Sequence, residues 1–162
     1  MYSITSSVDT EDPRNPPMKK LPASQLLTER ISLLAVDSNK DDCQSLLAIL
    51  GSTGTRIHWA SSFREATTLM HQSVPDLILC ERDLPDGTWK DVFRKAEGMR
   101  PRPPVVVVSR KPDERLWAEV LNFGVYDMLL KPFDTTEVCR MVRWACHCAE
   151  VATSKAATAA AA

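Results

Sequence analysis

Polar side chains of four kinds directly follow the apolar runs of this sequence. They are Asp37 and Ser38 after the first run, Glu81 after the third, Ser109 after the fourth and Lys131 after the fifth. Carboxylates bind hard cations and can act as nucleophiles, whereas serine and lysine donate hydrogen bonds to anionic groups. These five residues are therefore the candidates for a site.

The elements that would position them are short apolar runs alternating with amphipathic stretches. The runs predict five strands: ISLLAV (31–36), TRIHWA (55–60), DLILC (76–80), PVVVV (104–108) and YDMLL (126–130). The stretches predict five helices: 39–50, 62–73, 88–98, 112–123 and 134–151. Unalternated runs suit parallel strands that are covered on both faces. We expect an α/β fold with a doubly wound, five-stranded parallel sheet of flavodoxin-like strand order, and such sheets place their sites at the carboxyl ends of the strands.

The chain divides into one domain and two tails by composition. Residues 1–28 are rich in Pro, Ser and Thr without apolar periodicity, which predicts a disordered arm. Residues 29–151 form the predicted domain, and residues 152–162 form an alanine-rich tail. We therefore expect a single domain with one hydrophobic core.

Charge and cysteine usage exclude several classes of protein. The formal net charge of −1 offers no basic excess for nucleic acid. The five cysteines contain no CxxC pair, which argues against a zinc knuckle or a disulfide framework. Because no run of about 18 apolar residues occurs, no membrane span is predicted. We expect a cytoplasmic protein.

Four segments together resemble the signature segments of response-regulator receiver domains of the chemotaxis-regulator type. They are VDSN, LILCERDLPDG, VVVVSR and LLKPF, in the family's order, and the resemblance covers about residues 30–150. It implies a magnesium ion held by two acidic residues after the first strand and by an aspartate after the third strand. In the family, that third-strand aspartate is the residue that is phosphorylated. A hydroxyl residue and a lysine contact the phosphoryl group, and Ser109 and Lys131 match those positions.

The sequence departs from this pattern at the reacting centre. Asp37 matches the first acidic position, but Ser38 occupies the second and Glu81 the acceptor position. The extra methylene of Glu81 moves its carboxylate by about 1.5 Å. Met128 stands where the family carries a switching aromatic residue. We therefore expect an atypical receiver, or pseudo-receiver, without a resident cofactor; Asp37 and Glu81 would be the ligands of any magnesium ion.

Two interpretations of Glu81 remain open from the sequence. Its carboxylate pairs with Lys131 and imitates a phosphorylated state, or it is a degenerate residue without consequence for signalling. Asp83 and Asp86 are further carboxylates of the same loop. We interpret both as solvated loop residues rather than as replacement acceptors, because LPDG indicates a turn.

A partner surface is predicted on the fourth helix, the fifth strand and the fifth helix. The residues assigned to it are Trp117, Met128, Met141 and Trp144. Exposed Trp and Met side chains are frequent interface anchors. The alternative for Trp144 is that it covers the helix beneath the alanine-rich tail.

The function predicted from the sequence is that of a binding module, not an enzyme. It is a phosphorylation-independent interaction module in two-component-type signalling, with a histidine kinase, an output protein or a second copy as partner and with neither nucleic acid nor membrane. The alternative is a working phosphoacceptor with weak magnesium-dependent phosphoryl transfer. A flavin or nucleotide-binding enzyme on the same sheet is a third hypothesis that rests on fold analogy alone.

Overall fold

The computed structural model describes residues 31–111 and 113–161. Its main sheet contains five parallel strands in the order β2-β1-β3-β6-β7. These strands are β1 (Ser32–Val36), β2 (Arg56–Ala60), β3 (Leu77–Glu81), β6 (Val105–Ser109) and β7 (Asp127–Leu130). A short antiparallel pair follows β3 and consists of β4 (Asp83–Leu84) and β5 (Gly87–Thr88). The predicted α/β class and flavodoxin-like strand order are confirmed.

Five helices connect the strands and cover both faces of the sheet. They are α1 (Lys40–Leu50), α2 (Phe63–Gln72), α3 (Trp89–Glu97), α4 (Glu114–Phe123) and α5 (Thr135–Ala160). Alternate residues of one strand face opposite ways, so Leu34 packs toward α2, α3 and α4 while Leu33 packs toward α1 and α5. The three central strands β1, β3 and β6 are almost entirely apolar because both of their faces are buried, whereas the edge strand β2 also carries Arg56 and His58.

Two residues that we assigned to a partner surface lie in the core. Met128 is 5% exposed and packs on the α2–α4 side of the sheet, because strand alternation turns it inward. Met141 is 4% exposed and packs on the opposite side. It lies three residues after the inward-facing Val138, which places both on one face of α5. The assignment of Met128 and Met141 to an exposed surface was wrong.

The ends of the chain follow the prediction only in part. The predicted disordered arm, residues 1–28, lies outside the described residues. α5 continues past its predicted end at residue 151 and reaches Ala160. Alanine has the highest helix propensity of all residues, so the alanine-rich segment continues the helix. Within the described part of the chain, no helix has the length and apolarity that crossing a membrane requires.

Candidate functional site

The carboxyl ends of the parallel strands bring the candidate residues into one open cleft. Asp37 and Lys131 directly follow β1 and β7, whereas Glu81 and Ser109 end β3 and β6. These four residues and Ser38 line a cleft of about 380 Å³. Residues separated by as many as 94 positions therefore share one site.

The ammonium group of Lys131 is bound by three carboxylates. Its Nζ lies 2.5 Å from Oδ2 of Asp37 and 2.7 Å from Oδ2 of Asp42, and it also donates to Oε2 of Glu81. The Lys131 side chain is 2% exposed. A buried ammonium needs opposite charges and hydrogen-bond acceptors in place of its water shell, and the three carboxylates supply both.

The turn between β1 and α1 aims two of these carboxylates into the cleft. Oδ1 of Asp37 accepts the Asn39 backbone N–H at 2.8 Å, which leaves Oδ2 free to face Lys131. The Asn39 side chain caps α1 by accepting the Asp41 N–H at 3.0 Å. The helix therefore begins at Lys40, and its first turn places Asp42 beside the strand ends.

Asp42 is a site residue that the sequence analysis missed. It is 6% exposed, and one guanidinium nitrogen of Arg110 lies 3.0 Å from Oδ1 and 3.1 Å from Oδ2. Acidic residues are common in the first turn of a helix, where they interact favourably with the helix dipole, so nothing marked Asp42 as exceptional. Its spacing of five residues from Asp37 was the available signal, since it places Asp42 on the turn that follows the strand end.

Burial and pairing shift the pKa values of two groups in the cleft. Burial raises the pKa of the Glu81 carboxyl, and hydrogen bonding to Lys131 offsets only part of this effect. For Lys131, burial lowers the pKa, but hydrogen bonds to Asp37, Asp42 and Glu81 outweigh it and raise the pKa overall. Lysine is thus held in its charged form, while Glu81 takes up a proton more readily than an exposed glutamate.

The two serines of the site differ in position. Ser109 is 3% exposed, and its Oγ lies 3.2 Å from both the backbone nitrogen and the carbonyl oxygen of Lys111. It stabilises the loop that follows β6. Ser38 is exposed at the mouth of the cleft and supplies a hydroxyl where the resembled family has a carboxylate.

The magnesium site implied by the resemblance fits these residues poorly. Oδ1 of Asp37 accepts a backbone N–H, while Oδ2 of Asp37 and Oε2 of Glu81 both accept from Lys131. Magnesium requires several oxygen ligands in near-octahedral geometry, and Ser38 removes one of the charged ligands. Among residues 31–111 and 113–161, no three His, Cys, Asp or Glu side chains are arranged to hold a metal ion.

The two other loop carboxylates lie away from Lys131. Asp83 is exposed and lies 3.1 Å from Nε of Arg82. Asp86 is also exposed, but its two oxygens accept the backbone N–H groups of Phe63 and Arg64 at 2.7 and 2.9 Å. These hydrogen bonds lower the pKa of Asp86 and tie the β4–β5 turn to the start of α2. Asp86 is therefore not simply solvated; it contributes to the attachment of the loop.

Exposed apolar side chains lie on α4 and at the two ends of β7. Trp117 is 40% exposed, as is Leu130, and Leu121 is 68% exposed. Trp144 is partly buried and stacks on Tyr126, with ring centroids 3.5 Å apart and an interplanar angle of 20°. We call Trp117, Leu121, Tyr126 and Leu130 the aromatic face. The sequence analysis found Trp117 and missed the other three.

Comparisons with known proteins agree with this fold. Residues 33–143 match the family described as "Response regulator receiver domain". "Transcriptional regulatory protein ZraR" of Escherichia coli (strain K12) is 27% identical over 106 residues, which are 65% of this chain and 24% of that protein. "Sensor histidine kinase TmoS" of Ectopseudomonas mendocina is 28% identical over 116 residues, which are 70% of this chain and 12% of that protein. The chain thus spans a quarter or less of either relative.

A solved structure extends the comparison to the backbone. The two-component response regulator from Clostridium difficile superimposes with a TM-score of 0.66 at 26% identity. The match covers 73% of this chain and 97% of that one. Nearly the whole of that structure therefore has a counterpart here.

Proposed function

Since this chain belongs to the family of response regulator receiver domains, we propose that it is a pseudo-receiver, a protein-interaction module that signals without phosphorylation of its own cleft. Receiver domains are signalling modules of two-component systems that interact with histidine kinases and output domains. In the proposed role, the chain still binds such a protein partner, but binding does not require a phosphoryl group.

The occupation of the cleft by Lys131 carries this proposal. Its ammonium is bound by Asp37, Asp42 and Glu81, so the carboxylate oxygens that would hold a metal ion and attack phosphorus already have a cationic partner. Charge-assisted hydrogen bonds of this kind are stronger than neutral ones, particularly away from water. A phosphoryl donor would have to displace an interaction that the folded chain supplies permanently.

The contacts of Glu81 favour the interpretation that it holds one constitutive conformation over the interpretation that it is a degenerate residue. Its side chain is 19% exposed and donates nothing; its Oε2 accepts from Lys131 across the cleft. The contact links the end of β3 to the end of β7, the two positions that a phosphoryl group bridges in the resembled family. The proposal is therefore that Glu81 contributes to one fixed conformation of the strand ends.

The aromatic face is the proposed partner surface. Trp117 and Leu121 lie one helical turn apart on α4, and Tyr126 and Leu130 lie at the two ends of β7, the strand that α4 contacts. Large apolar side chains grouped on a surface are typical of binding sites. The proposed partner is a histidine kinase, an output protein or a second copy of the chain, and the cytoplasmic location expected from the sequence remains a prediction.

A second candidate function is that of a slow phosphoacceptor. The cleft is open to solvent, and Ser109 and Lys131 occupy the positions that contact a phosphoryl group in the resembled family. In this reaction an oxygen of Glu81 would attack the phosphorus of an acyl phosphate, the carboxylate of the donor would leave, and a new acyl phosphate would form on the protein. Before this attack, the hydrogen bond between Lys131 and Glu81 would have to break.

The two functions are separated by measuring intact mass after incubation with acetyl phosphate and magnesium. The control is a Ser38→Asp, Glu81→Asp double variant, which restores the family's residues at both positions. The proposal expects no acid-labile adduct on the wild-type chain, whatever the control shows. An adduct on the wild-type chain that disappears in Glu81→Gln would establish the phosphoacceptor instead.

A further inference from the structure

Asp42 joins three segments that are far apart in the sequence. Its Oδ2 accepts from Nζ of Lys131 at 2.7 Å, and its two oxygens lie 3.0 and 3.1 Å from one guanidinium nitrogen of Arg110. Asp42 belongs to the first turn of α1, Arg110 begins the loop between β6 and α4, and Lys131 follows β7. A single carboxylate therefore connects the start of a helix to two strand ends.

The exposure of these groups shows which contact could open. The side chains of Asp42 and Lys131 are 8% and 2% exposed, whereas that of Arg110 is 55% exposed. A buried carboxylate requires cations or donors to replace its hydration, so Asp42 favours the position in which Arg110 lies across it. Arg110 can leave toward solvent, but Asp42 cannot.

The loop that carries Arg110 leads directly into α4. On its near side, Ser109 Oγ accepts from the Lys111 N–H at 3.2 Å; on its far side, Asp113 caps α4 by accepting the Leu116 N–H at 2.6 Å. Both bonds are local to the loop. The contact of Arg110 with Asp42 spans 68 positions and connects the loop to α1.

We infer that Asp42 and Arg110 are positioning residues that latch the β6–α4 loop to α1 across the mouth of the cleft. The inference rests on the proposed function and deepens it, because it explains how the cleft keeps one arrangement without a phosphoryl group. The latch fixes the start of α4, which carries Trp117 of the aromatic face. Asp37 and Asp42 also keep Lys131 in place when Glu81 is protonated.

Amide hydrogen exchange measured by NMR on the full chain tests the latch. The reporters are the amides of Lys111 and Leu116, whose acceptors Ser109 and Asp113 lie at the two ends of the loop. The amides of α2 are the internal reference. We expect Arg110→Gln to speed exchange at both reporters about tenfold, the effect of losing one charge-assisted contact. Arg110→Lys keeps the charge and should restore part of the protection.

Arg115→Gln is the matched control, because Arg115 is 89% exposed and pairs with Glu119 on the surface of α4. If Arg110→Gln and Arg115→Gln change the reporters equally, the latch does not exist. Asp42→Asn and the Asp42→Asn, Arg110→Gln double variant complete a cycle. Exchange in the double variant should match that of Asp42→Asn, whereas additive effects would show that the two residues act separately and overturn the inference.

This test is independent of the phosphorylation experiment. An adduct on the wild-type chain with a normal latch result would overturn the proposed function alone. Equal exchange in wild type and Arg110→Gln with no adduct would overturn the latch alone. If Asp42→Asn does not fold, the comparison of the exposed residue Arg110 with Arg115 still decides the question.

Discussion

Nζ of Lys131 lies 2.7 Å from Oδ2 of Asp42, although 89 positions separate the two residues in the sequence. The contact places a helix carboxylate next to the strand-end residues that the resemblance had marked. Three carboxylates therefore share one buried ammonium, and Asp42 also pairs with the more exposed Arg110.

Replacing Lys131 by methionine should destabilise the chain strongly. The variant leaves Asp37, Asp42 and Glu81 facing one another without their shared cation. Removing one partner of a buried ion pair costs about 3 to 5 kcal/mol in the free energy of unfolding. Urea denaturation at neutral pH measures the loss, and Lys111→Met, which removes an exposed lysine of the same cleft, is the control. Equal losses in the two variants would contradict the central role of Lys131.

Glu81 should give the stability of the chain a pH dependence of unusual sign. Burial raises the pKa of Glu81 above its ordinary value of 4.5, and Lys131 offsets only part of that rise. The native state therefore binds this proton more tightly than the unfolded state does. The contribution of Glu81 to stability falls as the pH rises from 4.5 through the native pKa.

Urea denaturation of Glu81→Gln and wild type from about pH 4 to about pH 7 measures this effect. The stability of Glu81→Gln relative to wild type should improve as the pH rises. Glu119→Gln is the control of opposite sign, because hydrogen bonding to Lys90 lowers the pKa of Glu119. Its relative stability should worsen over the same range, and parallel curves for both variants would refute the assignment.

The two tryptophans near the aromatic face should respond differently to truncation. Trp144 stacks on Tyr126, so Trp144→Ala should lower the free energy of unfolding by about 1 to 3 kcal/mol. Trp117 is exposed, so Trp117→Ala should cost less than about 0.5 kcal/mol. Chemical denaturation followed by circular dichroism gives both values. A large loss in Trp117→Ala would show that Trp117 belongs to the core and would remove it from the proposed partner surface.

Asp86 should stabilise the fold through the start of α2. Its carboxylate accepts two backbone N–H groups there, so Asp86→Ala leaves these donors to water and detaches the β4–β5 turn. The melting temperature should fall, and it should fall further than in Asp83→Ala, because Asp83 is itself exposed and among the described salt bridges pairs with Arg82 alone. Because these bonds lower the pKa of Asp86, the stabilisation is present above pH 3.8 and is lost as the pH falls through the native pKa.

The strands and the strand-end residues could be read from the sequence, whereas the side-chain network between them could not. Continuous apolar runs such as VVVV at 105–108 predict buried parallel strands, and the topology then brings Asp37, Glu81 and Lys131 together. Asp42 was missed because its role depends on where the first turn of α1 lies relative to the strand ends. The cap at Asn39 fixes where the helix begins, but residue spacing alone does not determine that this turn places Asp42 within hydrogen-bond distance of Lys131.

The errors on Met128 and Met141 have a common cause. Met128 was assigned to the surface from its position in the family pattern, and Met141 from a stripe of residues on the last helix. Both faces of the sheet are buried, however, and the buried stripe of α5 is wide enough to include Met141. Val138, Met141, Val142 and Ala145 occupy that stripe together. A sequence pattern gives the centre of a buried face more reliably than its edges, and Met141 lies near an edge.

The burial of Lys131 also determines how the cleft responds to the surrounding electrolyte. Dissolved ions screen exposed charge pairs such as Arg115 with Glu119, but they have little access to a lysine whose side chain is 2% exposed. The contacts of Lys131 with Asp37, Asp42 and Glu81 should therefore be the same in dilute and in concentrated salt. The buried charges of the cleft thus neutralise one another within the protein, and this part of the site is insulated from changes in ionic strength.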